Sequence, residues 1–101
     1  MSIRKKYIRD KHNNPKGVII AIKVDSPEGN YFTVGYSLCA KHDTYNKRLG
    51  LKIALQRCGT TSAWKIPRSI RPTLEAFIER CKPYFKDATF DDQNIVYTYE
   101  D

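Results

Sequence analysis

A chain of 101 residues with 41% apolar side chains makes one ordinary domain, large enough to bury a single core without disulfides or metal. Eighteen Lys and Arg against 11 Asp and Glu give a net charge of +7; residues 1–86 hold all 18 bases and six acids, a balance of +12, and residues 87–101 hold five acids and no base, a balance of −5. No apolar run approaches the roughly 18 residues of a membrane span, the opening MSIRKKYIRD lacks a secretory apolar segment, and an odd count of three cysteines makes no disulfide framework, so a cytoplasmic protein with no membrane partner is expected.

Residues 3–9, IRKKYIR, read as a strand with Ile3 and Tyr7 inward, and its four bases suit a sheet edge. The following DKHNNPKG has turn chemistry, with Asn13 and Asn14 bonding their own backbone, Pro15 pre-setting φ and Gly17 accepting positive φ. Val18 to Val24, VIIAIKV, is a nearly continuous β-branched run and predicts a central strand covered fully on one face and at least partly on the other. DSPEGN turns the chain again, and Phe32, Val34, Tyr36 and Leu38 then alternate with Thr33, Gly35, Ser37 and Cys39 as a third strand. These three segments predict an antiparallel meander.

A helix is predicted from about Tyr45 to Cys58, capped by Asp43 or Thr44 and stopped by Gly59. It carries Leu51, Ala54, Leu55 and Cys58 on one stripe and Tyr45, Leu49 and Ile53 on a second, while Gly50 in its middle implies a close neighbour, with the sheet the first candidate. A second helix follows from Ile70, Leu74, Phe77, Ile78, Cys81 and Phe85, which share one face; Pro67 and Pro72 suit its start, and Pro83 is expected to bend or end it. Asn94 to Glu100, NIVYTYE, alternates as a last strand. The predicted fold is α+β in the order β-β-β-α-α-β, a single domain over 1–101 with both helices on one face of the sheet.

No catalytic set emerges from the residue types that carry chemistry. Cys39-x-x-His42 has half of a zinc spacing, but Cys58 and Cys81 fall on apolar stripes, where cysteine packs as a small hydrophobe, so no metal is expected. His42-Asp43 lacks the further ligands of a metal hydrolase, since the other histidine, His12, sits in a turn. Ser37 or Cys39 as a nucleophile with His42 as base lacks a third orienting group, and the five glycines form no phosphate loop. No enzyme activity and no cofactor are expected.

The bases are the main signal. They cluster as Arg4, Lys5, Lys6 and Arg9 with Lys11; as Lys47, Arg48 and Lys52 with Lys41; and as Arg68 and Arg71 with Lys65. Brought onto one face they make a phosphate-binding surface for DNA or RNA, and Tyr7, Tyr31, Tyr45 and Trp64 are placed to stack on unpaired bases. The alternative partner is a protein, with the basic face docking on an acidic or nucleic-acid-binding groove of a host enzyme, and Tyr97 and Tyr99 of the acidic tail forming a homodimer edge by strand addition. A purely solvated basic face is the bland alternative to both.

Gly35-Tyr36-Ser37-Leu38, then Asp43, Tyr45, Lys47, Gly50-Leu51-x-Ile53-Ala54 and Arg57 resemble a pattern of small basic bacteriophage proteins that carry no assigned activity. About a quarter of the chain bears the resemblance. It implies an early or accessory viral protein at work in the cytoplasm of a bacterial host, where such proteins bind nucleic acid or bind and inhibit host enzymes, defence nucleases included.

Overall fold

The structure, a computed structural model, describes residues 2–39, 44–59, 64–92 and 95–98. Strands β1 (Ile3–Arg9), β2 (Pro15–Val24) and β3 (Asn30–Leu38) form the antiparallel meander, with register pairs such as Lys5 with Ile20 and Ile20 with Gly35. The first turn is held by Asp10, whose carboxylate accepts from the backbone N–H groups of His12 and Asn14 and is lowered in pKa chiefly by the Asn14 bond, while Asn13 takes positive φ at 67°. Gly17 has no turn role: it lies buried inside β2, beside Leu38 and the Ser37 carbonyl. At the second turn Ser26 Oγ accepts from Glu28 N–H and donates to the Gly29 carbonyl, with Gly29 at φ 131°.

Helix α1 (Lys47–Arg57) is shorter than the sequence predicts because Asn46 is its cap, accepting from Leu49 N–H; Thr44 lies ahead of the helix and Asp43 outside the described residues. A 3-10 turn (Arg68–Ile70) leads into α2 (Arg71–Tyr84), with Pro72 in the first turn and Pro83 at the end. The fourth strand is β4 (Ala88–Phe90), parallel to β3, which makes the sheet mixed in the order β1-β2-β3-β4. It replaces the strand expected at Asn94 to Glu100: of that segment 95–98 makes one parallel bridge, Tyr97 with Ile66, and 94, 99 and 100 fall outside the described residues.

The α+β class holds, but the helices lie on opposite faces of the sheet, not on one. Ile8, Ile19, Ala21, Phe32, Val34 and Tyr36 point to α2 and pack with Ile66, Ile70, Leu74, Phe77, Ile78, Cys81 and Phe85. The alternate residues Tyr7, Val18 and Ile20 meet Leu51, Ala54 and Cys58 of α1. Fully burying one such aliphatic or aromatic side chain contributes about 1.5–3 kcal/mol, so the α2 layer is the main core. One face of β2 thus packs on α2 and the other on α1, which is why VIIAIKV carries no polar alternation until Lys23.

The thin α1 layer follows from its sequence. Only Gly50 and Ala54 are fully buried, and Leu49 and Leu55, expected on apolar stripes, are 54% and 44% exposed. The helix comes so close that a Cβ on Gly35 would fall on the Ala54 carbonyl oxygen. The close neighbour of Gly50 is the Tyr45 ring, not the sheet.

Candidate nucleic-acid interface

The first basic cluster lies on β1, an outer strand of the sheet, and Lys47 of the second reaches it, while Lys41 lies outside the described residues. Because side chains alternate across a strand, Arg4 and Lys6 project with Ile8 toward the α2 side, and Lys5 with Tyr7 toward the α1 side. On the α1 side Lys47 Nζ lies 5.0 Å and Lys5 Nζ 5.8 Å from the Tyr7 ring centroid. Arg57, in the last turn of α1, donates to the Tyr36 carbonyl at β3. At 100° per residue Arg48 lies 100° and Lys52 140° around the helix from Lys47, both exposed on the side away from Gly50 and Ala54.

On the α2 side the Arg4 guanidinium stacks 4.4 Å from the Tyr84 ring centroid. A depression of about 320 Å³ opens between strand and helix, lined by Arg4, Lys5, Lys6, Tyr7, Arg9, Phe77 and Arg80. Arg80 is a member of this cluster that the grouping of bases along the sequence leaves out. Its signal was available in the spacing: Phe77, Arg80 and Tyr84 lie three and four residues apart, on one helix flank.

The third cluster stands elsewhere. Arg71 Nε lies 2.6 Å from Glu75 Oε1, with its guanidinium over Tyr97, and Arg68 donates to the Thr98 carbonyl. The Glu75 bond holds the Arg71 guanidinium even more firmly protonated than usual. Both bases therefore sit against the C-terminal segment, at the side of α2 away from β1.

Ion pairing follows the same division. Among the described residues the bridges join Lys23 to Asp25 and Asp87, Arg71 to Glu75 and Lys82 to Glu79, and none involves Arg4, Lys5, Lys6, Arg9, Lys47, Arg48, Lys52 or Arg80. The Lys23 ammonium, 2.7 Å from Asp87 Oδ2, holds that carboxyl below its usual range and is itself raised. Asp87, Asp91 and Asp92 gather around β4, the opposite end of the strand order from β1. The molecule is electrically polar across its sheet.

Of the aromatic residues read as stacking surfaces, Tyr7 and Trp64 are each overlaid by a cation, Trp64 by Arg57 at 5.0 Å. Tyr31 lines a shallow recess with Asp91 and Asp92, and the Tyr45 hydroxyl is buried.

A second cleft, of about 400 Å³, lies between the end of β3 and the start of α1, and it contains the residues read as nucleophile candidates. Ser37 is 3% exposed, and its Oγ and the Tyr45 hydroxyl have no hydrogen-bond partner among the described residues. His42, the base of that reading, lies outside them, as does the Cys39-x-x-His42 pair taken together. Cys81 is a core residue at 1% exposure, and burial pushes the Cys58 thiol up to about 12. The described residues contain no cluster of three or more metal-ligating side chains, and no helix among them is long and apolar enough to cross a membrane. No family model matches this chain, and neither the curated proteins nor the solved structures contain a match to it.

Proposed function

We propose that the protein is a small non-enzymatic nucleic-acid-binding protein that uses the basic edge formed by β1, the start of α1 and Arg80 of α2. The observation that carries this reading is the segregation of charge: six bases, Arg4, Lys5, Lys6, Arg9, Lys47 and Arg80, stand around β1 without a carboxylate partner among the described residues, while the bridges of Lys23, Arg71 and Lys82 lie elsewhere. A merely solvated surface intersperses both signs; concentrated positive charge attracts the phosphate backbone and releases its counterions on binding. The contact residues are Arg4, Lys5, Lys6, Arg9, Lys47, Arg48, Lys52 and Arg80. Arg68 and Arg71, read from the sequence as members of the same surface, make a charge-matched control. A bacterial host cell as the setting is part of this proposal and rests on the sequence resemblance to phage proteins alone.

Fluorescence anisotropy with labelled oligonucleotides at low and moderate salt tests it. Lys5→Glu/Lys6→Glu weakens binding by about tenfold or more, and Arg68→Glu/Arg71→Glu, with the same change in net charge, by less than about threefold. Equal losses in the two variants mean that net charge alone attracts the ligand. No binding by the wild-type protein at low salt refutes the proposal.

A further inference from the structure

We infer that the nucleic acid this edge takes is a duplex, held by two rows of cations that contact the phosphates on either side of one groove. The inference rests on the nucleic-acid reading above and goes on to the strandedness of the ligand. One row stands on the α1 side of the sheet, with Lys5 and Lys47 over Tyr7, and the other on the α2 side, with Arg4 over Tyr84 beside Arg80. Strand β1 runs between them. Secondary-structure layers pack about 10 Å apart, so the rows are separated by roughly 10–20 Å, a distance comparable with the ~12 Å opening of the major groove. The seven residues of β1 are about 20 Å long, the length of about six base-pair steps.

A single strand asks for a different surface, a groove with open aromatic faces on which successive bases stack. This edge offers its rings differently. Tyr7 is covered by two ammonium groups and Tyr84 by a guanidinium, so a base stacking there displaces cations that the backbone needs. The outward alternation of β1 also leaves its bases on both sides of the strand, whereas one phosphate chain can follow only one side.

Titration of the full-length protein with a DNA duplex of about 12 base pairs, and separately with each of its strands, decides the matter. At low salt the duplex binds at least about tenfold more tightly than either strand. Lys5→Glu/Lys47→Glu and Arg4→Glu/Arg80→Glu each flatten the dependence of duplex affinity on salt, since each row contributes phosphate contacts of slope about −0.9. Binding of either strand as tightly as the duplex, or a salt slope that only one of the two variants changes, overturns the two-row duplex inference and leaves nucleic-acid binding standing. Failure of duplex and strands alike to bind overturns the functional reading itself. Circular dichroism of each variant establishes that it is folded before its affinity is read.

Discussion

A methyl group at Gly35 has no room, because the Ala54 carbonyl and the Cys58 backbone of α1 occupy its place and backbone cannot swing aside. Gly35→Ala therefore destabilises the protein by about 1–3 kcal/mol, measured as a lowered midpoint in urea unfolding. Gly50 differs, since its neighbour is the ring end of the Tyr45 side chain. In a Tyr45→Ala background Gly50→Ala stabilises by up to about 1 kcal/mol, the intrinsic helix preference for alanine, and an unchanged urea midpoint contradicts that assignment. Cys58 marks the same interface chemically. Burial raises its thiol to about 12, partly offset by a hydrogen bond from Thr33, whereas an unfolded thiol titrates near 8.5. Across that window the unfolded chain has lost the proton and the folded chain keeps it, so stability falls as pH rises from about 8.5, by up to about 1.4 kcal/mol per unit. Cys58→Ala removes one proton from this dependence, as denaturation at a series of alkaline pH values will show.

At the scale of elements, the two helices differ in what they bury, and stability follows. Leu74 of α2 is 1% exposed and Leu55 of α1 44%, so Leu74→Ala costs about 2–5 kcal/mol and Leu55→Ala within about 0.5 kcal/mol. Comparable losses in thermal or urea unfolding contradict the unequal layers described above. The second helix was fully legible in the sequence, since all six stripe residues from Ile70 to Phe85 are buried. So was the meander, with Asn13 and Gly29 in its turns, whereas Pro15 and Gly17, read as turn residues, are the opening residues of β2. The side on which each helix packs was written only in the unbroken VIIAIKV run, whose two covered faces permit helices on both. β4 was not legible, because three residues, Ala-Thr-Phe, are too few to show a period; they are a strand only because Asn30 to Phe32 offers them a partner. The α1 cap was misread for a related reason, as Asp43, Thr44 and Asn46 all precede Lys47 and satisfy the same rule, and it is Asn46 that accepts from Leu49 N–H. For the candidate site, composition marked the bases but not their arrangement. Arg68 and Arg71 look like Lys47 and Arg48 in sequence, and the fold turns them toward Thr98 and Glu75 instead of β1.

At the scale of the whole molecule the sheet order sets the electrostatics. β1 and β4 are its two outer strands, so the bases of residues 4–9 and the acids of residues 87–92 stand at opposite ends of the layer. The helices reinforce this polarity, with Arg80 on the β1 flank of α2 and Glu75 and Glu79 beside Phe90 and Asp92 in a groove on its other side. A polyanion meets this field in one orientation, and screening at about 0.15 M salt, where the Debye length is about 8 Å, weakens the attraction. The most direct test is an amide NMR titration of the isotope-labelled protein with duplex DNA at low salt. The account predicts shift changes confined to Ile3–Arg9, the start of α1 and the Arg80–Tyr84 turn, with Ala88–Phe90 unmoved; changes centred on β4 or spread evenly over the molecule contradict it.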